Sequence, residues 1–265
     1  MMAVMRRGSI IGVVLVAMAG CGGAPRAEPT SVGADTAARR AEQAQAWHRA
    51  ADSITADLLV RIKPAGRDAL TFTVNVWSPA DGRIRLQVSK VGVSGFDAVI
   101  EPDGAVNIVS REDDVVVDDL ERVFAADLGP GAMLARLIDE LKLGPVPAAA
   151  AFAADGGTLT GLDPATGLNL AIVFAEQPEQ IASKSYRDPA GVEQMRLEYA
   201  RYKTFDTLQR PSLITIRVPG RDGEYLVRVQ DLNVVPAVSD GRMRLRLPDG
   251  RPHLAFDAFL KRLGE

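Results

Sequence analysis

Side chains able to do chemistry are few in this chain. Its 265 residues hold one cysteine, Cys21, and two histidines, His48 and His253. A single cysteine forms neither an intramolecular disulfide nor a cysteine-rich zinc site, and two histidines do not furnish a histidine-rich metal cluster. Gly92-Val93-Ser94-Gly95 falls short of the G-x-S-x-G nucleophile turn because its second glycine comes one position early. Ser-x-x-Lys, HExxH, the P-loop and the dinucleotide glycine fingerprint do not occur. Neither histidine stands beside a serine or an acid in a recognisable local motif; His48 reads as a partly exposed structural residue. The expectation is therefore a non-enzyme with no catalytic residues, no cofactor and no metal. The pairs Asp113-Asp114 and Asp118-Asp119 flank one strand pattern and fit solvated strand ends better than a cation site. The row Arg242, Arg244, Arg246 has the spacing of a wet strand face, with lipid headgroups or an acidic partner as the functional alternative. With Lys+Arg 31 against Asp+Glu 34, the basic excess that marks a nucleic-acid surface is missing.

Cys21 is the residue with chemistry still to do. Arg6-Arg7 supplies a positive start, Ile10–Ala17 an apolar run, and Met18-Ala19-Gly20 small residues before the cysteine. That order marks a secretory signal, and the run is far below the roughly 20 residues that span a bilayer. The segment resembles the lipobox of bacterial lipoproteins, with Met18 where leucine is usual. The resemblance implies cleavage after residue 20, a diacylglyceryl thioether on Cys21 and further acylation, with palmitate, of the new N-terminus. Two or more acyl chains anchor stably, where one alone holds marginally. Gly22 stands where the inner-membrane retention signal would place aspartate, which implies an outer-membrane location facing the periplasm. Residues 21–34 are mostly small and turn-forming, a lipidated tether with a mean reach of roughly 20 Å.

Residues 35–265 read as a single domain. Asp35 opens a helical pattern to residue 52, with Ala37, Ala41, Ala44, Trp47 and Ala51 on one face. From Ile54 the period becomes two. Leu58, Val60 and Ile62 form one face, as do Phe72, Val74 and Val76, and Ile84, Leu86 and Val88, each alternating mostly with polar residues. This is the pattern of antiparallel strands with one buried face. Pro64-Ala65-Gly66, Pro79-Ala80-Asp81-Gly82 and Pro102-Asp103-Gly104 supply turns. Short strands follow over Phe96–Glu101, Ala105–Ser110 and Val115–Asp118. Pro130–Leu143 then breaks the period: Met133, Leu134, Leu137, Ile138 and Leu141 share a helical face, Asp139, Glu140 and Lys142 lie opposite, and Gly144-Pro145 ends the helix. Strands resume at Phe152–Ala154, Thr158–Gly161, Leu168–Ala175, Ile181–Arg187, Glu193–Tyr202, Ser212–Val218, Tyr225–Val234 and Gly241–Leu247. In the last of these Met243, Leu245 and Leu247 are expected inside. Phe256–Leu263 suits a short terminal helix. The fold class expected is α+β, mostly β: a curled antiparallel sheet of about eleven strands, an unclosed barrel, with the N-terminal and mid-chain helices on its concave side.

A lipobox, an N-terminal helix, a long meander and a helix inserted mid-chain resemble the LolA/LolB-type superfamily of outer-membrane lipoprotein carriers and receptors. Ile54–Asp118 carries most of the likeness, through Arg83-Ile84-Arg85-Leu86, Gly95-Phe96-Asp97-Ala98-Val99 and Asp103-Gly104. A second piece is Tyr199–Pro211 running into Ile214–Val218 and Tyr225–Val234. The resemblance implies an apolar cavity that holds acyl chains beneath a helical lid. Carried onto this chain, the lining is Phe72, Val74, Val76, Ile84, Leu86, Val88, Leu170, Ile172 and Phe174, and the lid is Leu134, Leu137 and Ile138. The same residues also suit a solid core, since small barrels are filled by their own side chains. Two functions follow: an anchored lipoprotein that binds or transfers a lipid or lipoprotein acyl moiety, or a non-enzymatic interaction lipoprotein with a filled core and an envelope protein partner.

Overall fold

In a computed structural model of the chain, the residues described are Arg39, Glu42 and 51–265, leaving out 65–67, 91–92, 103–105, 111–115, 119–129, 144–151, 156–157, 164–166, 176–179, 220–222, 246–249, 251, 256–257 and 259–265. Ser31–Glu265 forms one compact unit. Cys21, the tether, His48, Trp47, Asp113-Asp114 and most of the first and last helical patterns lie outside the described residues. Arg39 and Glu42 are helical and exposed.

The first wing of the sheet is a meander of six strands, β1 (Ile54–Pro64), β2 (Leu70–Ser78), β3 (Ile84–Lys90), β4 (Val93–Ile100), β5 (Val106–Ser110) and β6 (Val116–Asp118). Helix α1 (Pro130–Leu143) follows. The second wing is β7 (Phe152–Asp155), β8 (Thr158–Leu162), β9 (Asn169–Phe174), β10 (Ile181–Arg187), β11 (Glu193–Phe205), β12 (Leu208–Arg217) and β13 (Gly223–Val234). A one-turn helix α2 (Asp240–Met243) and β14 (His253–Ala255) complete the chain. All fourteen strands form one sheet in the order β14-β6-β5-β4-β3-β2-β1-β13-β12-β11-β10-β9-β8-β7. Pairing is antiparallel except where β14 joins β6 in parallel. The two wings are sewn together at the centre, where β1 pairs along its whole length with β13.

This topology gives α1 its place. The helix lies in sequence between β6 and β7, the far ends of the two meanders, and so between the last strands of the two wings. Flat, fourteen strands at about 4.8 Å would spread over about 60 Å. A fourteen-residue helix is only about 21 Å long and 10–12 Å across. Yet the inward positions of β1–β4 and β9–β13 are buried and join Leu137, Ile138 and Leu141 of α1 in one hydrophobic cluster. The sheet therefore curls so that its inner face covers itself around the helix. No pairing joins β14 to β7 among the described residues, and the barrel stays open.

Local chemistry explains the turns. Asp81 accepts from the Arg83 backbone N–H at 3.0 Å, and Gly82 takes φ 86°, which a side chain would strain. Gly95 answers a different demand: a β-carbon there would come within 1.5 Å of the Val88 carbonyl oxygen, beside the irregular pairing of β3 with β4. The glycine that nearly completes a nucleophile motif thus serves a close strand crossing. Asp188 closes the next turn, accepting from Val192 N–H at 2.9 Å.

One expected strand is replaced. Of the strand expected over Gly241–Leu247, residues 241–245 do not extend the sheet: α2 occupies Asp240–Met243, Arg244 and Leu245 are irregular, and 246 and 247 lie outside the described residues. Val235 still donates to Ser53 at 3.0 Å, but Pro236 has no N–H with which to continue a ladder. Residues 235–245 then form a strap on the outer face of β2 and β3. Asp240 pairs with Arg83 at 2.9 Å, Arg85 donates to the Arg242 carbonyl, and Trp77 lies against both Arg85 (5.7 Å) and Arg242 (5.5 Å). Met243 is buried as expected, by the strap rather than by a strand.

Candidate functional site

The interior begins as an aliphatic surface. Val74, Val76, Ile84, Leu86, Val88, Leu170, Ile172 and Phe174 are buried in one cluster with Leu137 and Ile138, and Phe72 packs half-buried against it. The structure thus brings together the residues assigned to lining and lid; Leu134 is helical, its side chain outside the described set. Ile172 and Ile138 expose 0% of their surface and Leu137 and Leu170 1%. Atoms that close leave no water-sized gap against these residues.

Burial slackens toward one end of the strands. Val60 of β1 faces Phe72 of β2 and Val227 of β13, and the next inward step pairs Ile62 with Leu70 and Tyr225. Val60, Phe72, Phe96 and Tyr225 are half-buried against the core, and Ile62 and Leu70 are half-buried too. At the other end Ile54, Leu232, Ser78 and Ile84 are fully enclosed. The inner face therefore runs from a tight floor to a half-open apolar rim.

The helix is held by polar groups. Lys184 is 2% exposed, lies opposite Ile172 and Leu197 in its neighbouring strands, and is ion-paired with Glu140 of α1. The other oxygen of that carboxylate, Oε2, accepts from the Tyr199 hydroxyl at 2.6 Å. Although burial alone would lower the Lys184 pKa, the facing Glu140 and Tyr186 hold it above the ordinary lysine value. Burial pushes the Tyr199 hydroxyl well up, with Glu140 adding to it, so this group is a proton donor throughout the neutral range. Arg136 pairs with Asp163 at 2.8 Å and lies 5.4 Å from the Tyr186 ring. Arg210, 1% exposed, donates to the carbonyls of Leu141 (2.9 Å) and Lys142 (3.3 Å). These are end-of-helix carbonyls without an intrahelical donor. Burial lowers the Arg210 pKa to about 10, which keeps the guanidinium charged at neutral pH. Lys142 is buried rather than on a wet helix face, and its ammonium donates to the Pro79 carbonyl.

None of this clasp was read from the residues alone. An inward-facing basic residue on a mostly apolar strand face is the available signal: Arg210 shares its face with Leu208, Ser212 and Ile214. In β10 the signal is scrambled, because an irregularity between Ile181 and Ser183 brings both Ile181 and Lys184 inward. Of the arginine row, Arg242 lies on Trp77, Arg244 is exposed and Arg246 is outside the described residues. His253 is in β14. Among the described residues no group of three or more His, Cys, Asp and Glu is placed to hold a metal ion, and no helix is long and apolar enough to cross a membrane.

The sequence matches no protein family profile and no curated protein. Solved structures do match. A DUF1329 family protein from Desulfovibrio piger superposes with a TM-score of 0.55 at 12% identity, covering 82% of this chain and 98% of that one. A LolA superfamily protein from Nitrosomonas europaea gives 0.53 at 10% identity, covering 79% and 97%. An outer membrane lipoprotein-sorting protein domain from Vibrio parahaemolyticus gives 0.53 at 13% identity, covering 80% and 96%. The fold of this chain is shared with these structures: a mostly antiparallel sheet, curled but unclosed.

Proposed function

We propose that this protein is an envelope lipoprotein, anchored through Cys21 to the outer membrane and facing the periplasm, that binds or helps transfer a lipid or lipoprotein acyl moiety. The observation that carries the reading is the relation of α1 to the sheet. The helix fills the curl, yet it is no part of the strand ladder and stands in sequence between β6 and β7, which do not pair, so it can leave without breaking any strand pair. Much of what it covers is aliphatic surface. An acyl chain taking its place would gain about 0.8 kcal/mol per buried methylene, and no covalent chemistry is required. The half-open rim at Ile62, Leu70 and Phe72 is the end at which a chain would enter. The lipoprotein-sorting description of the Vibrio parahaemolyticus neighbour supports this assignment.

Native mass spectrometry on protein extracted from membranes, with uptake of a fluorescent fatty acid by delipidated protein, tests the reading. Bound lipid and saturable uptake are expected; absence of both overturns it. Cys21→Ala is expected to abolish palmitate labelling and release the protein from membranes. Retention of the variant after salt and carbonate washes would overturn the anchor.

A further inference from the structure

Lys184 is out of place in a curl that takes only hydrocarbon. It stands buried at the middle of β10, with Ile172 and Leu197 beside it in register and Tyr186 and Tyr199 nearby. An ammonium taken wholly out of water is costly unless an anion meets it. In the closed protein that anion arrives on the helix. Glu140 presents one oxygen to the Lys184 ammonium and the other to the Tyr199 hydroxyl, and each donor meets its own oxygen. The sheet therefore contributes two donors spaced for the two oxygens of one carboxylate, and the carboxylate belongs to the element that must move for an acyl chain to enter. Once α1 withdraws, Lys184 is left in an apolar wall needing a replacement.

We propose that Lys184 and Tyr199 form a headgroup subsite for a long-chain carboxylate, a fatty acid or an acyl compound ending in a free carboxyl, and that Glu140 occupies it as an internal stand-in. This rests on the acyl-binding reading and narrows it: chain burial supplies the affinity, while the ammonium and hydroxyl select the head. Two donors aimed at two coplanar oxygens favour carboxylate over the three-cornered oxygen set of a phosphate. Hydrocarbon heads, alcohols and esters leave the lysine without an anion and are rejected accordingly.

The test compares oleate, oleyl alcohol, methyl oleate and oleyl phosphate below their aggregation limits, by calorimetry on the delipidated full-length protein. Oleate is expected to bind at least about tenfold more tightly than the alcohol or the ester, and more tightly than the phosphate. Lys184→Met risks leaving Glu140 buried without its cation, so the decisive variant is Lys184→Met with Glu140→Leu, which removes both charges at similar volume. Its thermal unfolding is expected to stay cooperative and its affinity for oleyl alcohol to be kept, while the preference for oleate disappears. Glu140→Gln keeps the ammonium and weakens the competitor, and is expected to raise oleate affinity more than alcohol affinity. A preference that survives in the double variant, equal binding of oleate and alcohol by the native protein, or a preference for oleyl phosphate would overturn the subsite while leaving acyl binding standing. Failure of every long-chain probe to bind would overturn both.

Discussion

From β1 to β4 the inward positions include Leu58, Val74, Val76, Ile84, Leu86 and Val88, with Phe72 and Phe96 beside them, and among the described residues they are apolar but for Ser78 at the floor; from β10 to β12 they include Lys184, Tyr186, Tyr199, Arg210 and Ser212 among apolar neighbours. Both wings are curled over the same helix, but they treat it differently. Apart from the Pro79 carbonyl, which accepts from Lys142, the first wing offers dispersion and burial, which are indifferent to the exact position of a partner. The second offers directional bonds to named atoms: Glu140, the Leu141 and Lys142 carbonyls and, through Asp163, Arg136. A surface meant only to be filled has no need of the second kind. The division assigns storage of apolar surface to the first wing and retention of the helix to the other.

Variants on the two wings sharpen this contrast. Lys184→Met alone is expected to cost up to about 3–5 kcal/mol in chemical denaturation, because it leaves the mostly covered Glu140 without its cation. The double change Lys184→Met with Glu140→Leu is expected to be neutral or stabilising, and a double variant as unstable as the single one would break the idea of a paired clasp. Leu86→Ala, on the aliphatic wing, is expected to cost about 2–5 kcal/mol by leaving a cavity. The wings should also part company at high pH. Lys184, Tyr186 and Tyr199 all hold their protons more tightly folded than unfolded. Their stabilisation is fully present below about pH 10, where the unfolded groups begin to lose protons, and is lost as pH rises toward the folded values. The Leu86→Ala loss should be the same at pH 7 and pH 10.5, whereas the stability difference between native protein and the charge-free double variant should shift against the native protein. The smallest effect belongs to the outer strap: Arg242→Ala, which removes one cation from the Trp77 ring, should cost about 0.5–1 kcal/mol. A larger loss would mean that the strap supports the inner face as well as covering the outer one.

How much of this is legible in the residues varies by wing. In β2 and β3 the alternation Phe72, Val74, Val76 and Ile84, Leu86, Val88 runs without a slip, and the observed burial follows it position by position. In β10 the run Ile181-Ala182-Ser183-Lys184-Ser185-Tyr186 reads as Ile181 on one face and Lys184 on the other, until the bulge against β9 turns both inward. Arg210 stands one residue before Pro211, where a strand pattern is most easily ended too early, although β12 runs through it. Over Arg242–Arg244 the alternation of exposed arginines about buried Met243 is kept but the strand is lost, because Pro236 and the Asp240–Met243 turn take this stretch out of the ladder.

The sequence by itself determined the elements. Period-two runs, turn residues and the amphipathic stretch from Pro130 to Leu143 are consequences of backbone geometry that each segment carries with it, wherever it ends up. It also determined the lipobox-like context of Cys21. The tertiary structure alone decided that β1 would pair with β13, which leaves the ends of the sheet at β14, beside β6, and at β7, with the helix standing in sequence between β6 and β7. It alone decided that Glu140 would meet Lys184 across 44 positions of chain. Strand partners and buried charges are chosen by groups distant in sequence, and a local pattern holds no record of what will stand opposite it.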